Sequence, residues 1–231
     1  MKKYILTALI FSLVAAFACK KEEPASVDPS SVEPAKVSKC AKYAVAVYKN
    51  FERTDWLATL SKAEIVDFLS KEIFSDNKGK VAEVAHVRLS DGKEGYLETK
   101  HLADKAVVFT QDTPVYQRNN SGSKVTATIP AGTIGFVIDE KGEWMQIYIG
   151  QIDGKWLSQE WANSGFSTEA ALITEAKLYE EAITALRNKD SKEADRKAAL
   201  KKLEGLKSSE LFGEKAEKQI DDFSGYGDPG E

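Results

Sequence analysis

The chain has 231 residues, 42% hydrophobic and 29% charged, with a formal net charge of −4. That length holds one large or two to three small domains, and the balance is that of an ordinary globular protein, without the basic footprint of a nucleic-acid binder. Two Cys and two His leave little from which to build a zinc site or a catalytic triad.

Met1-Lys2-Lys3 is a short basic start, Tyr4 to Phe17 is almost wholly apolar, and Ala16-Phe17-Ala18-Cys19 follows. A charged start, an apolar stretch and small residues at a cut make an export signal. The stretch is shorter than the about 20 residues a membrane span needs. The segment resembles a bacterial lipoprotein signal, whose Cys becomes the acylated N-terminus after cleavage. The Leu usual three residues before that Cys is Ala16 here, and Phe17 is bulkier than the common residue, a relaxed pattern similar to the spirochaete lipobox. The resemblance implies a signal peptide over 1–18 and a palmitate-type acyl anchor on Cys19. It also implies a cell-envelope location at the outer membrane, with the periplasmic or surface face left open. With Cys19 acylated, Cys40 has no internal partner and reads as a small apolar residue at the edge of the first strand. Residues 19–39 carry Pro24, Pro29 and Pro34 among Ser, Glu, Asp and Lys, a composition that cannot bury a core. At about 3.1 Å per residue, such a tether reaches roughly 60 Å.

From residue 40 the pattern becomes one of short strands. Ala44 to Tyr48, Trp56 to Leu60, Glu64 to Leu69 and Val81 to Leu89 are apolar or alternating runs. Turns at Asp76-Asn77-Lys78-Gly79 and Asp91-Gly92-Lys93 separate them, and Gly95-Tyr96-Leu97 closes this first unit, 40–104. A second unit, 105–164, repeats the order: Ala106 to Phe109, Pro114 to Tyr116, a loop at Asn119 to Ser123, and Val125 to Ile129. Ile134 to Ile138, a turn at Asp139 to Gly142, Glu143 to Ile149, a turn at Asp153-Gly154-Lys155, and Trp156-Leu157 complete it. Lys62-Ala63-Glu64-Ile65 looks like a divergent copy of Ala131-Gly132-Thr133-Ile134, an offset of 69. The two Asp-Gly-Lys turns lie at an offset of 62. Two units of about 60 residues with five or so strands each imply two small β-barrels.

Ile129-Pro130-Ala131-Gly132-Thr133, then Gly142-Glu143-Trp144-Met145-Gln146-Ile147, then Gly154-Lys155-Trp156-Leu157 together resemble the bacterial SH3 domain. That family shows a Gly-Thr step into a strand, a Trp-led strand and a Gly-Lys-x-Gly-Trp-Val ending. The first unit keeps the ending as Gly92-Lys93-Glu94-Gly95-Tyr96-Leu97 but has no aromatic in the slot of Trp144, where Val81 or Ala82 falls. The resemblance covers roughly 40–164 and implies two tandem SH3-like barrels.

Leu172, Ala176, Tyr179, Ile183 and Leu186 fall on one face of a helix, with Ser167 as N-cap. Asp190 with Glu193 starts a second helix, and Ser208 or Ser209 a third. The expectation over 165–223 is therefore a helical hairpin, or three helices, with a loose tail over 224–231. The fold class expected for the whole chain is mainly β with an α-helical C-terminal segment.

His86 sits in an alternating strand and His101 in a polar loop, and no Ser-, Cys- or acid-based pattern surrounds either. The expectation is a non-catalytic protein with no cofactor and no metal. Trp56, Tyr96 and Trp156 are expected to pack the barrels. Within the strand Glu143 to Ile149, alternation puts Met145, Ile147 and Ile149 on the core side and Trp144, Gln146 and Tyr148 on the other. Since SH3-like folds place a groove aromatic where Trp144 stands, the resemblance implies a binding groove of Trp144, Tyr148 and Tyr116. Glu143, Gln146 and Arg118 form its polar rim. Whether the helices cover this face is left open. The expected partners are a membrane, through the N-terminal lipid, and either peptidoglycan peptide or a protein, with no nucleic acid. The alternatives are a surface-exposed binder of host proteins and a structural subunit of an envelope complex.

Overall fold

The computed structural model describes residues 37–75 and 79–224. The expected signal peptide, Cys19, the tether up to residue 36, the Asp76-Asn77-Lys78 part of one expected turn and residues 225–231 of the tail lie outside them. Within the described residues the chain is mainly β with an α-helical C-terminal segment, as its residue patterning predicts.

The first sheet holds β1 (Val37–Ala41), β2 (Val45–Tyr48), β3 (Trp56–Leu60), β4 (Ile65–Ser75), β5 (Val81–Arg88) and β6 (Glu94–Glu98). A 3-10 turn at Thr99–His101 leads into its last strand, β7 (Leu102–Ala103). The strands lie in the order β3-β2-β6-β5-β4-β1-β7. The second part holds β8 (Lys105–Phe109), β9 (Thr113–Tyr116), β10 (Val125–Ile129), β11 (Ile134–Lys141) and β12 (Trp144–Tyr148). A separate hairpin of β13 (Gly150–Ile152) and β14 (Lys155–Leu157) follows, then β15 (Glu160–Ala162) and β16 (Phe166–Ser167). The second sheet runs β10-β9-β15-β12-β11-β8-β16, the same plan as the first.

Each sheet curls around its own apolar centre. In the first, Leu60 from one edge strand and Leu102 from the other meet Val47, Val66, Ala85, Val87 and Leu97. In the second, Val107, Phe109, Val115, Ile129, Val137, Ile147 and Ala162 meet in the same way. Strand alternation sends every second side chain inward, so short runs of β-branched residues suffice. Curling brings strands close enough that Gly135 has no room for a side chain. A Cβ there would lie 2.6 Å from Ile147 Cγ2 and 3.2 Å from Phe109 Cε2.

The continuous apolar run of β8 has a different cause. Val107 and Phe109 face the sheet's interior, whereas Ala106 and Val108 face a third apolar cluster outside it. A strand buried on both faces reads as an unbroken apolar run. That third cluster is built by α1 (Ala170–Arg187), α2 (Glu193–Leu206) and α3 (Gly213–Ser224), whose Ala176, Leu186, Leu203 and Phe212 pack against Val108, Ile134 and Phe136. Cys40, Ala63 and Ala103 of the first part join the same cluster. Full burial of side chains such as Leu203 and Phe212 contributes about 1.5–3 kcal/mol each. The expected hairpin thus carries a third helix. Ser209 sits at the turn into α3, where its hydroxyl accepts the Phe212 N–H at 3.1 Å and donates to Glu175 at 2.6 Å. The cap expected at Asp190 moves to Lys192, whose N–H donates to Asp195 at 3.3 Å.

Pairing registers show how the two sheets correspond. Tyr48 faces Tyr96 and Trp56 in the first, and Tyr116 faces Trp161 and Val125 in the second. Phe68 pairs with Val87 as Val137 pairs with Ile147, and a bulge follows both, at Leu69 and at Ile138. The offset is therefore 68 to 69 up to this point, as the Ile65 to Ile134 match expects. It falls to 60 (Val87 to Ile147) because the β4–β5 hairpin is the longer one. It rises to 65 (Tyr96 to Trp161) because β13 and β14 are inserted. The Asp91-Gly92-Lys93 and Asp153-Gly154-Lys155 turns are consequently not equivalent. The first joins β5 to β6, and the second closes the inserted hairpin. By register the first-sheet counterpart of Trp144 is Val84, rather than Val81 or Ala82.

Candidate functional site

Strand β11 runs on through Asp139 to Lys141, so the turn into β12 is tighter than the expected Asp139 to Gly142 and pivots at Gly142 and Glu143. That turn sets Trp144 at the start of β12. Alternation holds: Ile147 and Ile149 are buried in the sheet's centre with Met145 beside them, and Trp144, Gln146 and Tyr148 lie on the outer face.

The outer face divides into two environments. Tyr148 packs against the helical cluster, with ring centres 6.4 Å from Phe136 and 6.4 Å from Tyr43, and the Lys42 ammonium stands 5.0 Å over its ring. Burial, and then the neighbouring Tyr43, push the Tyr148 hydroxyl above its usual pKa. Trp144, Tyr116 and Gln146 lie apart from that cluster and remain half-buried. Tyr116 and Trp144 meet edge to face, 5.5 Å apart at 83°, a geometry that contributes about 0.5–1.5 kcal/mol beyond area alone. Gln146 donates from Nε2 to the Gln159 carbonyl at 3.2 Å, which fixes its amide. Glu143 is exposed in the turn before Trp144, and Arg118 is exposed two residues beyond Tyr116 in the β9–β10 loop. The structure therefore groups Tyr116, Trp144 and Gln146 and assigns Tyr148 to packing.

Trp161 is the residue that sequence reasoning missed. It lies between Tyr116 and Gln146 in the cross-strand row, with the Lys141 ammonium 5.3 Å over its ring. The expectation for the other indoles reverses. Trp56 is 59% exposed and Trp156 65% exposed, whereas Trp161 is only 6% exposed. Trp156 belongs to the inserted hairpin, outside the curled sheet, and so cannot fill its centre.

Among the described residues no group of three or more His, Cys, Asp and Glu gathers as a metal site. Also among them, no helix is long and apolar enough to cross a membrane. Cys40 is buried, and burial followed by the Asp104 charge pushes its thiol up to about 12, so it stays protonated. His101 shares a hydrogen bond with the Tyr43 hydroxyl, and burial, followed by the Lys100 charge, lowers its pKa. A cleft of about 680 Å³ between the first sheet and α1–α2 has a lining of alanines among more numerous polar and charged side chains; the ion pair Lys62–Glu180 bridges it, and Lys202–Glu181 joins the two helices at its side. It lies away from the aromatic face.

No curated protein matches the chain. Among solved structures, NlpC2 from Trichomonas vaginalis is 13% identical with a TM-score of 0.24, over 65% of this chain and 56% of that one. NlpC1 from the same organism is 14% identical with a TM-score of 0.24, over 67% and 55%. The Endolysin LysPBC5 CBD is 11% identical with a TM-score of 0.22, over 59% and 98%. The chain spans about half the length of the two Trichomonas chains, and superpositions at this level establish neither fold nor activity. The model of one protein family, by contrast, matches residues 5–222. With nearly its whole length covered by that match, the chain belongs to the Lipoprotein LenA family.

Proposed function

We propose that this lipoprotein is a non-catalytic binding protein of the cell envelope, anchored through acylated Cys19, whose two SH3-like modules recognise cell-wall peptide. The strand plan supports the SH3-like reading. In each sheet the last strand, the first, and the three that complete the meander lie side by side, and the early hairpin (β2–β3 or β9–β10) folds against the far edge. The observation that carries the binding reading is the Tyr116–Trp144 pair. It stands on the outer face beside Gln146, away from the helical cluster that takes up Tyr148. An extended peptide docks on such a surface by apolar contact with the rings, and Glu143, Gln146 and Arg118 supply polar contacts at the rim.

Retention on purified peptidoglycan tests the reading. The protein is expected to sediment with sacculi, and Trp144→Ala to sediment no more than background. Equal retention of the two would refute it. Cys19→Ser is expected to leave the detergent phase on phase partitioning, and outer-membrane fractions to lose the protein.

A second reading rests on Ile73 and Val81, which are exposed on the same side of the β4–β5 hairpin. Exposed apolar patches mark protein contacts. A protein partner, from a host or from the envelope itself, would dock there. Crosslinking that captures such a partner from the wild type but not from Ile73→Lys supports this reading.

A further inference from the structure

The first sheet carries an aromatic row that sequence patterning left unassigned. Four residues on four neighbouring strands stand side by side: Trp56 on β3 pairs with Tyr48 on β2, Tyr48 with Tyr96 on β6, and Tyr96 with His86 on β5. Directly paired residues point to the same side of a sheet. At about 4.8 Å per strand the row is roughly 14 Å long. The His86 and Tyr96 rings are stacked, 4.6 Å apart at 12°. Trp56 is 59% exposed, and its indole is pinned by a hydrogen bond from Nε1 to Thr59 Oγ1 at 3.3 Å. Phe51 meets Tyr96 edge to face at 5.9 Å and Phe74 at 5.5 Å, forming a wall at one side.

This row is the counterpart of Val125–Tyr116–Trp161–Gln146 in the second sheet. Apart from Trp161, which stands where the first row has Tyr96, each Tyr has one indole beside it, and that indole comes from opposite sides. In the second sheet Trp144 on β12 supplies it, where the first has buried Val84. In the first sheet Trp56 on β3 supplies it, where the second has Val125. The first row is thus complete without an aromatic in the Trp144 slot.

Charges around the row close on one another. Glu94 takes Arg88 at 2.8 Å and lies 3.1 Å from His86 Nε2, Lys49 pairs with Asp55 at 3.2 Å, and Arg53 with Glu98 at 2.6 Å. A charged ligand would have to break such pairs. A ligand with flat apolar faces and a hydroxyl rim would not, and planar carboxylate and guanidinium groups held in fixed geometry are suited to hydroxyls. The exposed Trp56 indole can take the axial C–H face of one sugar ring, and the row running from it presents the edges of Tyr48, Tyr96 and His86, whose faces are partly taken by one another, to the sugars and hydroxyls that follow.

We propose that the Trp56–Tyr48–Tyr96–His86 row is a second binding site that holds an uncharged glycan chain across the strands of the first sheet, with one sugar stacked on the exposed Trp56 indole. It rests on the wall-binding reading only for the choice of sugar, and it uses none of the residues of the second-sheet face. The test titrates the full chain in detergent with the N-acetylglucosamine tetrasaccharide, following tryptophan fluorescence and calorimetric heat, with a heparin hexasaccharide as the anionic comparison. Saturable tetrasaccharide binding is expected, weakened about tenfold or more by Trp56→Ala and largely kept by Trp56→Phe. Trp156→Ala, which removes an equally exposed indole elsewhere, is expected to leave it unchanged. Absence of saturable binding up to about 10 mM overturns the proposal. So does equal affinity of wild type and Trp56→Ala, an equal loss in Trp156→Ala, or a salt-sensitive preference for heparin. Sacculus retention is measured on the same preparations. Loss of tetrasaccharide binding with Trp144-dependent retention intact overturns the glycan site alone. Tetrasaccharide binding without Trp144-dependent retention overturns the peptide reading alone.

Discussion

Replacing Trp161 by Ala is expected to cost far more stability than replacing Trp156, although both are tryptophans on short strands of the same region. Trp161 is 6% exposed and Trp156 65% exposed. Truncating a buried Trp to Ala costs about 3–5 kcal/mol through lost transfer energy and the cavity left behind. The Lys141 ammonium 5.3 Å over the ring adds roughly 0.5–1 kcal/mol that is lost with it. For a chain of this size each kcal/mol moves the melting temperature by about 2–4 °C. Trp161→Ala should therefore melt roughly 7–24 °C below the wild type. An exposed surface substitution stays within about 0.5 kcal/mol, so Trp156→Ala should melt within about 2 °C of it. Thermal melts followed by far-UV circular dichroism on the three proteins measure this directly. Equal shifts for the two variants would show that the inserted hairpin, not β15, supplies the packing indole, and the register assignment of the second sheet would fail.

Other substitutions probe the remaining packing. Gly132 has φ of 86°, and a Cβ there would lie 2.7 Å from Phe212 Cε1, so Gly132→Ala combines about 1–2 kcal/mol of left-handed strain with about 1–3 kcal/mol of overpacking. Hydrogen exchange in α3 should rise with it, and unchanged exchange would refute the Gly132–Phe212 contact. Ala63, its register counterpart, already holds a methyl at φ of 59°. Cys40 should resist alkylation by iodoacetamide in the native protein at pH 8 and react on unfolding, since its thiol lies at about 12; modification at a model-thiol rate refutes its burial. His101 has a folded pKa below its ordinary 6.5, so the unfolded chain takes up its proton first as pH falls. Stability is then lost through that window as the pH drops below about 6.5. His101→Gln should flatten the pH dependence of the urea midpoint there, and an unaltered slope counts against it.

Much of the scaffold was legible because it depends on local chemistry. Alternation placed Ile147 and Ile149 inside, and the Ile65 to Ile134 match gave the true register of the two sheets at an offset of 69. The Asp-Gly-Lys match failed for a physical reason. Asp153 and Gly154 both take positive φ, at 49° and 78°, and make a two-residue hairpin turn, whereas in the other turn only Gly92 does, at 82°. Asp-Gly serves either turn, so turn chemistry could not distinguish an inserted hairpin from a hairpin of the sheet. Nor could it reveal that β13 and β14 carry Trp156 out of the sheet, or that the buried indole of this region is Trp161, in the outer-face row. The two aromatic faces were less legible still. Whether Trp144 or Tyr148 meets the helices depends on where a segment 20 or more residues later docks, and neither period nor propensity records that. The aromatic row of the first sheet needs four strands in register, with members drawn from residues 48 to 96.

The burial of β1 and β8 bears on how many such modules one chain can hold. Cys40 and Val108 occupy the same register position, opposite Ile65 and Ile134, and both enter the one cluster that the helices complete. The two modules thus meet through corresponding faces instead of stacking front to back. A head-to-tail contact leaves a free face at each end and can be extended indefinitely, but a like-to-like contact consumes the same face on both partners and closes at two. Duplicating a module a third time would add a unit with no matching face to receive it, since the helices occupy what β1 and β8 leave. The copy number of this protein is in that sense written into which side of its first strand is greasy.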